Sequence, residues 1–206
     1  MKCRVSSSTR RIVPGAPSFT IVQSWPGPRR RFVFHAGMGH VPTDVAPDVR
    51  SRSYTIEAQV RLDETTEGVL IAHGDATSGY SLYVRGGRLV HDLNIGGEHH
   101  VIESDRPVPS GECRLGVRAR PPAGPGVRAY TLLIDGQPAG TLQTKHGFAN
   151  FISWSGLDIG RDRGSPVSHY AAPFAFTGTL VRVTVTMDDD QVLDGEGVGR
   201  SQMARQ

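Results

Sequence analysis

From Ser53 to Leu62 the chain alternates without a break. Tyr54, Ile56, Ala58, Val60 and Leu62 are apolar, and Ser53, Thr55, Glu57, Gln59 and Arg61 between them are polar. A period of two sends successive side chains to opposite faces, so this segment fits a strand with one face on a core and the other in water. Half-buried strands of this kind belong to antiparallel sheets, because parallel sheets are covered on both sides. Val181, Val183, Val185 and Met187 repeat the pattern against Arg182, Thr184 and Thr186, and Cys113, Leu115, Val117 and Ala119 give a third apolar phase. Val69-Leu70-Ile71-Ala72 is short and continuous, which predicts a strand buried on both faces. No segment carries a helical stripe over ten or more residues.

The turns agree with this reading. Gly86-Gly87 in YSLYVRGGRLVHDLNI, Gly96-Gly97 in NIGGEHHVI and Asp135-Gly136 in YTLLIDGQPAGTL each separate two strand-like runs by two residues that tolerate positive φ, the pattern of a tight hairpin. With 25 Gly and 14 Pro among 206 residues, the chain has the turn-forming residues that roughly ten short strands need. The fold class is therefore all-β, an antiparallel β-sandwich of jelly-roll type, with a closed barrel as the alternative. The length suits one domain, expected over residues 29–190. Residues 1–28 read as a disordered basic leader and 191–206 as a flexible tail.

Charge narrows the function. Lys2, Arg4, Arg10, Arg11, Arg29, Arg30 and Arg31 fall within the first 31 residues, which hold no carboxylate, so the formal charge of +3 belongs to the leader. A nucleic-acid partner calls for basic groups clustered on a folded face with stacking aromatics, and three consecutive arginines do not supply that. No apolar run reaches the roughly 18 residues of a membrane span, and the start lacks the apolar segment of a secretory signal. The expected location is cytoplasmic. Cys3 and Cys113 are the two cysteines; Cys113 lies on the apolar phase of its strand, and neither has zinc-ligand spacing.

Three blocks of the chain, RFVFHAGMGHVPTDVAPDVRSRSYTIEAQVRL, EGVLIAHGDATSGYSLYVRGGRLVHDLN and LDIGRDRGSPVSHYAAPFAFTGTLVRVTV, resemble in that order the C-terminal portion of bacterial arylsulfatases. The resemblance covers roughly Arg31 to Val185. It implies a concanavalin A-like or laminin-G-like sandwich that, in the family, follows a large catalytic domain. A sulfatase needs a Cys-x-(Pro/Ala)-x-Arg segment for its formylglycine nucleophile, together with carboxylates for a divalent metal. Cys3 precedes Arg4-Val5-Ser6-Ser7 and Cys113 precedes Arg114-Leu115-Gly116-Val117, so neither fits. What the resemblance implies is a non-catalytic accessory module, truncated or split from its parent, with a sulfatase catalytic domain in trans or a glycan as partner. A stand-alone carbohydrate-binding module is the alternative. No cofactor, metal or catalytic residue is expected.

Two sets of residues stand as candidate sites. If Gly86-Gly87 and Gly96-Gly97 are two-residue loops, Tyr83 faces Val90, Ser81 faces Asp92, and Asn94 faces His99. One surface then gathers Tyr83, Asp92, Asn94 and His99, an aromatic ring with polar groups suited to sugar hydroxyls and apolar sugar faces. An ordinary polar outer face is the alternative. Tyr80, Leu82, Val84, Leu89, Leu93 and Ile102 point the other way, to the core. The second set is the loop GRDRGSPVSHY. Asp and Gly there serve turn chemistry, which makes the loop a structural brace. By the resemblance it is also the corner that would dock a catalytic domain, through Arg161, Asp162, Arg163 and Tyr170. His99-His100 cannot chelate one ion as strand neighbours. The Asp188-Asp189-Asp190 run reads as solvated, and the Glu-x-Asp patterns of sandwich glucanases are absent.

Overall fold

The glycine pairs set the register as the sequence predicts. In a computed structural model, which describes residues 29–120, 128–145, 148 and 152–190, Gly86 and Gly87 take φ of 56° and 72°. Two successive positive φ values match the right-handed twist of the flanking strands, and glycine adopts them without a Cβ clash. Arg85 therefore pairs with Arg88, Tyr83 with Val90 and Ser81 with Asp92. Through Gly96-Gly97, Asn94 pairs with His99 and Asp92 with Val101. The Asp135-Gly136 turn does the same for Ile134 and Gln137.

Eleven strands follow along the described residues, with no helix among them. They are β1 (Arg31–His35), β2 (Tyr54–Leu62), β3 (Gly68–Gly74), β4 (Ser78–Arg85), β5 (Arg88–Ile95), β6 (Glu98–Glu103), β7 (Gly111–Arg120), β8 (Arg128–Ile134), β9 (Gln137–Thr144), β10 (Leu157–Ile159) and β11 (Thr179–Met187). Every pairing between them is antiparallel. The order β1-β11-β2-β7-β8-β9 forms a six-stranded sheet and β10-β3-β4-β5-β6 a five-stranded one. The two pack face to face as a jelly-roll sandwich. The segments expected as leader and tail lie outside the described residues.

The core is the contact between the two inner faces. Ile56, Val60, Leu115, Val117, Leu132 and Val183 of one sheet meet Leu70, Leu82, Leu89 and Leu93 of the other. Cys113 lies among them as a free thiol, and its burial pushes the pKa up to about 11. Two histidines are enclosed on this inner side. His91 Nδ1 lies 2.8 Å from the Ser81 carbonyl, to which it donates, whereas neither nitrogen of His73 has a partner. Desolvation lowers both imidazoles from 6.5 to about 4.

Val69 to Ala72 is buried on both faces as expected. Leu70 and Ile71 enter the inter-sheet core, while Val69 and Ala72 belong to a second apolar cluster on the outside of the five-stranded sheet. Two expectations need correction. Val181 does not continue the apolar phase of β11: the register shifts between Leu180 and Arg182, and Val181 is 46% exposed. A bulge places one extra residue in the strand and turns its side chain out. Nor is the aspartate run merely solvated. Asp188 pairs with Arg120, Asp189 with Arg30 at 2.6 Å, and Asp190 accepts from the Ser53 amide at 2.8 Å. Three partners on three segments make it a clasp at the end of β11.

Candidate functional site

A sandwich has two outer faces, and here they differ. The outer face of the five-stranded sheet is where Tyr83, Asp92, Asn94 and His99 were expected to lie open. The structure brings all four to that face and then covers them with the segment 160–176. Tyr83, Asp92 and Asn94 are buried, and only His99 keeps partial exposure. Val167, Tyr170 and Phe174 of the covering strap pack on Val69, Ala72, Tyr83 and Val90. The face predicted to meet a ligand is occupied by the chain's own strap.

Polar groups beneath the strap pair with it. Ser168 Oγ donates to Asp92 Oδ2 at 2.5 Å and lies 3.3 Å from the Tyr83 hydroxyl. His99 Nδ1 reaches the same Asp92 oxygen at 2.8 Å, and the His99 and His169 rings are 4.0 Å apart. The Asn94 amide donates to the carbonyls of Ala76 (2.9 Å) and Val167 (3.2 Å) and accepts from the Gly97 amide (2.9 Å), tying two turns to the strap. Arg85 closes the edge: its guanidinium lies 5.4 Å from the Tyr83 ring and 5.3 Å from that of Phe174, and it donates to the His169 carbonyl at 2.8 Å.

The residues expected to dock a second domain divide in the same way. Asp162 is buried within the strap, where it accepts from the Val167 amide (2.8 Å) and the Tyr170 hydroxyl (2.7 Å), and burial pushes its carboxyl up. Tyr170 is likewise internal, its ring 5.1 Å from Tyr83. Arg163 binds Asp158 through Nε at 2.9 Å and Nη2 at 2.8 Å. Burial works to raise the Asp158 carboxyl, but Arg163 and His40 outweigh it and hold it below the usual carboxylate range. Arg161 is exposed and lines a cleft of about 240 Å³ together with Ile159, Phe176 and Leu180. Brace is what the contacts of Asp162 and Tyr170 describe.

The outer face of the six-stranded sheet is built differently. Register across β1, β11, β2, β7 and β8 sets its side chains in rows. One row runs His35, Arg182, Gln59, Arg114; the next Val33, Thr184, Glu57, Gly116, Leu133; the next Arg31, Thr186, Thr55, Arg118, Thr131. Arg31, Arg114, Arg118 and Arg182 are exposed. Arg61 and Glu112 satisfy each other at one end; Asp135, opposite Arg114 at the strand end, accepts from the Arg114 amide at 2.8 Å, and Glu57 stands within the rows. At about 4.8 Å per strand, Arg182 and Arg114 stand about 10 Å apart at the backbone, with Gln59 between them. Two guanidinium groups at that spacing, beside an amide and threonine hydroxyls, suit an anionic group carried on a polyhydroxyl body.

Sequence reasoning placed Arg182 on an outward phase, counted Arg31 with the basic leader and did not bring these arginines together. Among the described residues no three His, Cys, Asp or Glu side chains converge as a metal site, and no helix is long and apolar enough to cross a membrane.

No family model matches this chain, and no curated protein matches it. Solved structures do. The CBM40 module of the Ruminococcus gnavus IT-sialidase, bound to α2,3-sialyllactose, is 18% identical over 84% of this chain and 96% of its own, with a TM-score of 0.53. The same module bound to α2,6-sialyllactose is 14% identical over 83% and 96%, at 0.50. The mouse laminin α1 LG4–5 domains match 81% of this chain and 41% of theirs at 17% identity and a TM-score of 0.44. The first two likenesses establish the fold as the jelly-roll sandwich derived above. That module is not a sulfatase, so the arylsulfatase resemblance rests on the quoted segments alone.

Proposed function

We propose that this chain is a non-catalytic carbohydrate-binding module that takes acidic glycans on the outer face of its six-stranded sheet. The observation that carries this reading is the set of exposed arginines, Arg31, Arg114, Arg118 and Arg182, set against Glu57 within the rows and Asp135 at the Arg114 edge. Like charges about 10 Å apart on one exposed face repel weakly, and a sheet gains nothing in stability from collecting them. An anion resolves the repulsion. Arg182 and Arg114 supply bidentate donors for a carboxylate or sulfate, while Gln59 and Thr184 offer hydrogen bonds to ring hydroxyls.

The sandwich fold it shares with a sialidase CBM40 bound to sialyllactose supports the choice of a sugar, and sialyllactose is itself acidic. The arylsulfatase resemblance points to the same sign of charge, since a module presenting substrate to a sulfatase would meet sulfate esters. The test is titration calorimetry with sialyllactose, a sulfated disaccharide and neutral lactose. The acidic sugars are expected to bind, with affinity falling as salt rises, and Arg114→Ala or Arg182→Ala to weaken them about tenfold or more. Binding that ignores both substitutions, or favours lactose, overturns the reading.

A further inference from the structure

Trp154 is 74% exposed, the largest apolar side chain left to water among the described residues. It does not sit on a loose tip. Ile152 and Leu157 on either side of its bend are anchored in the core. Ser153 and Ser155, its immediate neighbours, both donate to the Asp75 carboxylate, which also accepts from the Thr77 amide at 2.8 Å. The Ser153 amide donates to the Ser78 carbonyl at 3.1 Å. Thr43 Oγ1 donates to the Ser153 carbonyl at 3.0 Å and accepts from the Gly156 amide at 3.1 Å. The bend is thus pinned on both sides of an indole that it holds out in solvent, where burial would otherwise stabilise the fold by about 2 kcal/mol or more.

The surroundings say what the indole meets. Gly156 takes φ of +83°, and a Cβ there would lie 2.4 Å from the His40 ring, so the imidazole rests directly on the backbone two residues beyond Trp154. His40 Nδ1 is 3.1 Å from Asp158 Oδ1, the oxygen that Arg163 also holds. Trp154 thus stands on a bend whose Gly156 backbone carries the His40 ring, which Asp158 links to Arg163. Among the described residues, Val45, 62% exposed on the adjoining turn, is the nearby exposed apolar side chain. A protein partner of ordinary size requires a broader apolar patch. A pyranose offers one apolar face for stacking and a rim of hydroxyls for donors.

We propose that Trp154 is the stacking platform of a second carbohydrate subsite at the β10 edge, which takes the apolar face of an uncharged pyranose ring. The proposal rests on the carbohydrate-binding reading given above, but it uses none of the arginines of the six-stranded sheet. The two sites therefore fail separately.

The chain has two tryptophans, Trp25 and Trp154, so a Trp25→Phe protein reports on Trp154 alone. Its emission is titrated with hexasaccharides of glucose (β1,4 and β1,3), mannose, xylose and N-acetylglucosamine, and with sialyllactose. At least one neutral hexasaccharide is expected to shift the emission to the blue. In calorimetry, Trp154→Ala is expected to weaken that sugar about tenfold or more, and Trp154→Phe to retain most of the affinity. Sialyllactose binding is expected to be unchanged by either substitution. If sialyllactose binds and no neutral sugar moves the emission, or if Trp154→Ala leaves neutral binding intact, this subsite is overturned and the arginine face stands. If no sugar of either kind binds, both readings fall. A blue shift produced by raising protein concentration alone assigns the indole to a contact between copies and also overturns the subsite.

Discussion

The two outer faces of the sandwich began from the same pattern, polar side chains in alternation with a buried phase, and they ended in opposite states. On the five-stranded sheet every expected ligand group found a partner inside the protein: Asp92 with Ser168 and His99, Asn94 with two turns and the strap, Tyr83 with Tyr170 and Arg85. On the six-stranded sheet Arg118 and Arg182 remain exposed with no carboxylate opposite them in the ladder, and Arg114 is exposed with Asp135 on its backbone amide. Alternation shows which side chains leave the core, but it does not show whether they reach water. Covered polar groups are spent on stability, whereas uncovered and unmatched ones are free for a ligand.

The sharpest way to break this contrast is to remove the strap's anchor. Tyr170 is buried against Tyr83 and Phe174, with ring centroids 5.1 and 5.2 Å away, and its hydroxyl holds Asp162. Tyr170→Ala is expected to destabilise the fold by about 3–5 kcal/mol, the range for deleting a buried aromatic ring, read as a lower midpoint in urea. The arginine face lies on the other sheet, so acidic-glycan affinity measured below the transition should not change. A loss of less than about 1 kcal/mol would mean the strap is a movable cover rather than a second core.

Next in size is the response to acid, which separates the inner faces from both outer ones. His73 and His91 titrate at about 4 when folded and 6.5 in the ordinary state. Between those values the unfolded chain binds more protons, so stability is fully present above about pH 6.5 and drains away as the pH falls toward 4. The loss by pH 5 is about 2 kcal/mol for each imidazole. Neither nitrogen of His73 has a partner, so His73→Leu removes its titration without breaking a hydrogen bond and should about halve the pH dependence of the denaturation midpoint, with His91 supplying the rest. An equally steep profile in that variant would place the acid sensitivity elsewhere.

What the sequence disclosed, and what it hid, follows the same division. The glycine pairs specified two registers to the residue, because only one pairing fits a two-residue loop with both φ positive. The Val69–Ala72 run correctly gave a strand covered on both faces, and that was the available sign of a second apolar layer. Its counterpart was Val167, Tyr170 and Phe174, apolar residues spaced through a loop otherwise made mostly of Ala, Gly, Ser, Pro and Arg. They carry no period that marks them as a cover. The arginine face was hidden for a different reason. Arg182 is beside Gln59 because β11, from the end of the chain, inserts between β1 and β2, and local periodicity carries no information about such long-range neighbours. The bulge at Val181 was invisible because a strand with one extra residue still alternates on either side of it.

A smaller effect tests the clasp. Asp188 pairs with Arg120 and its backbone carbonyl receives Arg52, while Asp190 holds Ser53. The Asp188 and Arg120 side chains are both partly exposed, and such pairs contribute about 1 kcal/mol or less. Asp188→Ala should therefore cost at most about that much, with the loss shrinking in high salt. If it costs several times more, the end of β11 depends on this pair in a way that its exposure does not explain.

The smallest effect carries the most information about function. Arg118 lies on the row next to Glu57, between Thr55 and Thr131, and no carboxylate partners it in the ladder. Removing one member of a like-charged face should leave stability unchanged or raise it by a few tenths of a kcal/mol at low ionic strength, with the gain disappearing in salt. Arg118→Gln, followed by urea titration at two salt concentrations, checks this. A structural arginine behaves the other way, since its loss destabilises at any salt. If Arg118→Gln costs more than about 1 kcal/mol, the exposed face is as much a part of the scaffold as the covered one, and the contrast between them disappears. A neutral or stabilising result, together with weaker binding of acidic sugars, identifies a charge held against the interest of the fold, which is what a ligand-binding surface requires.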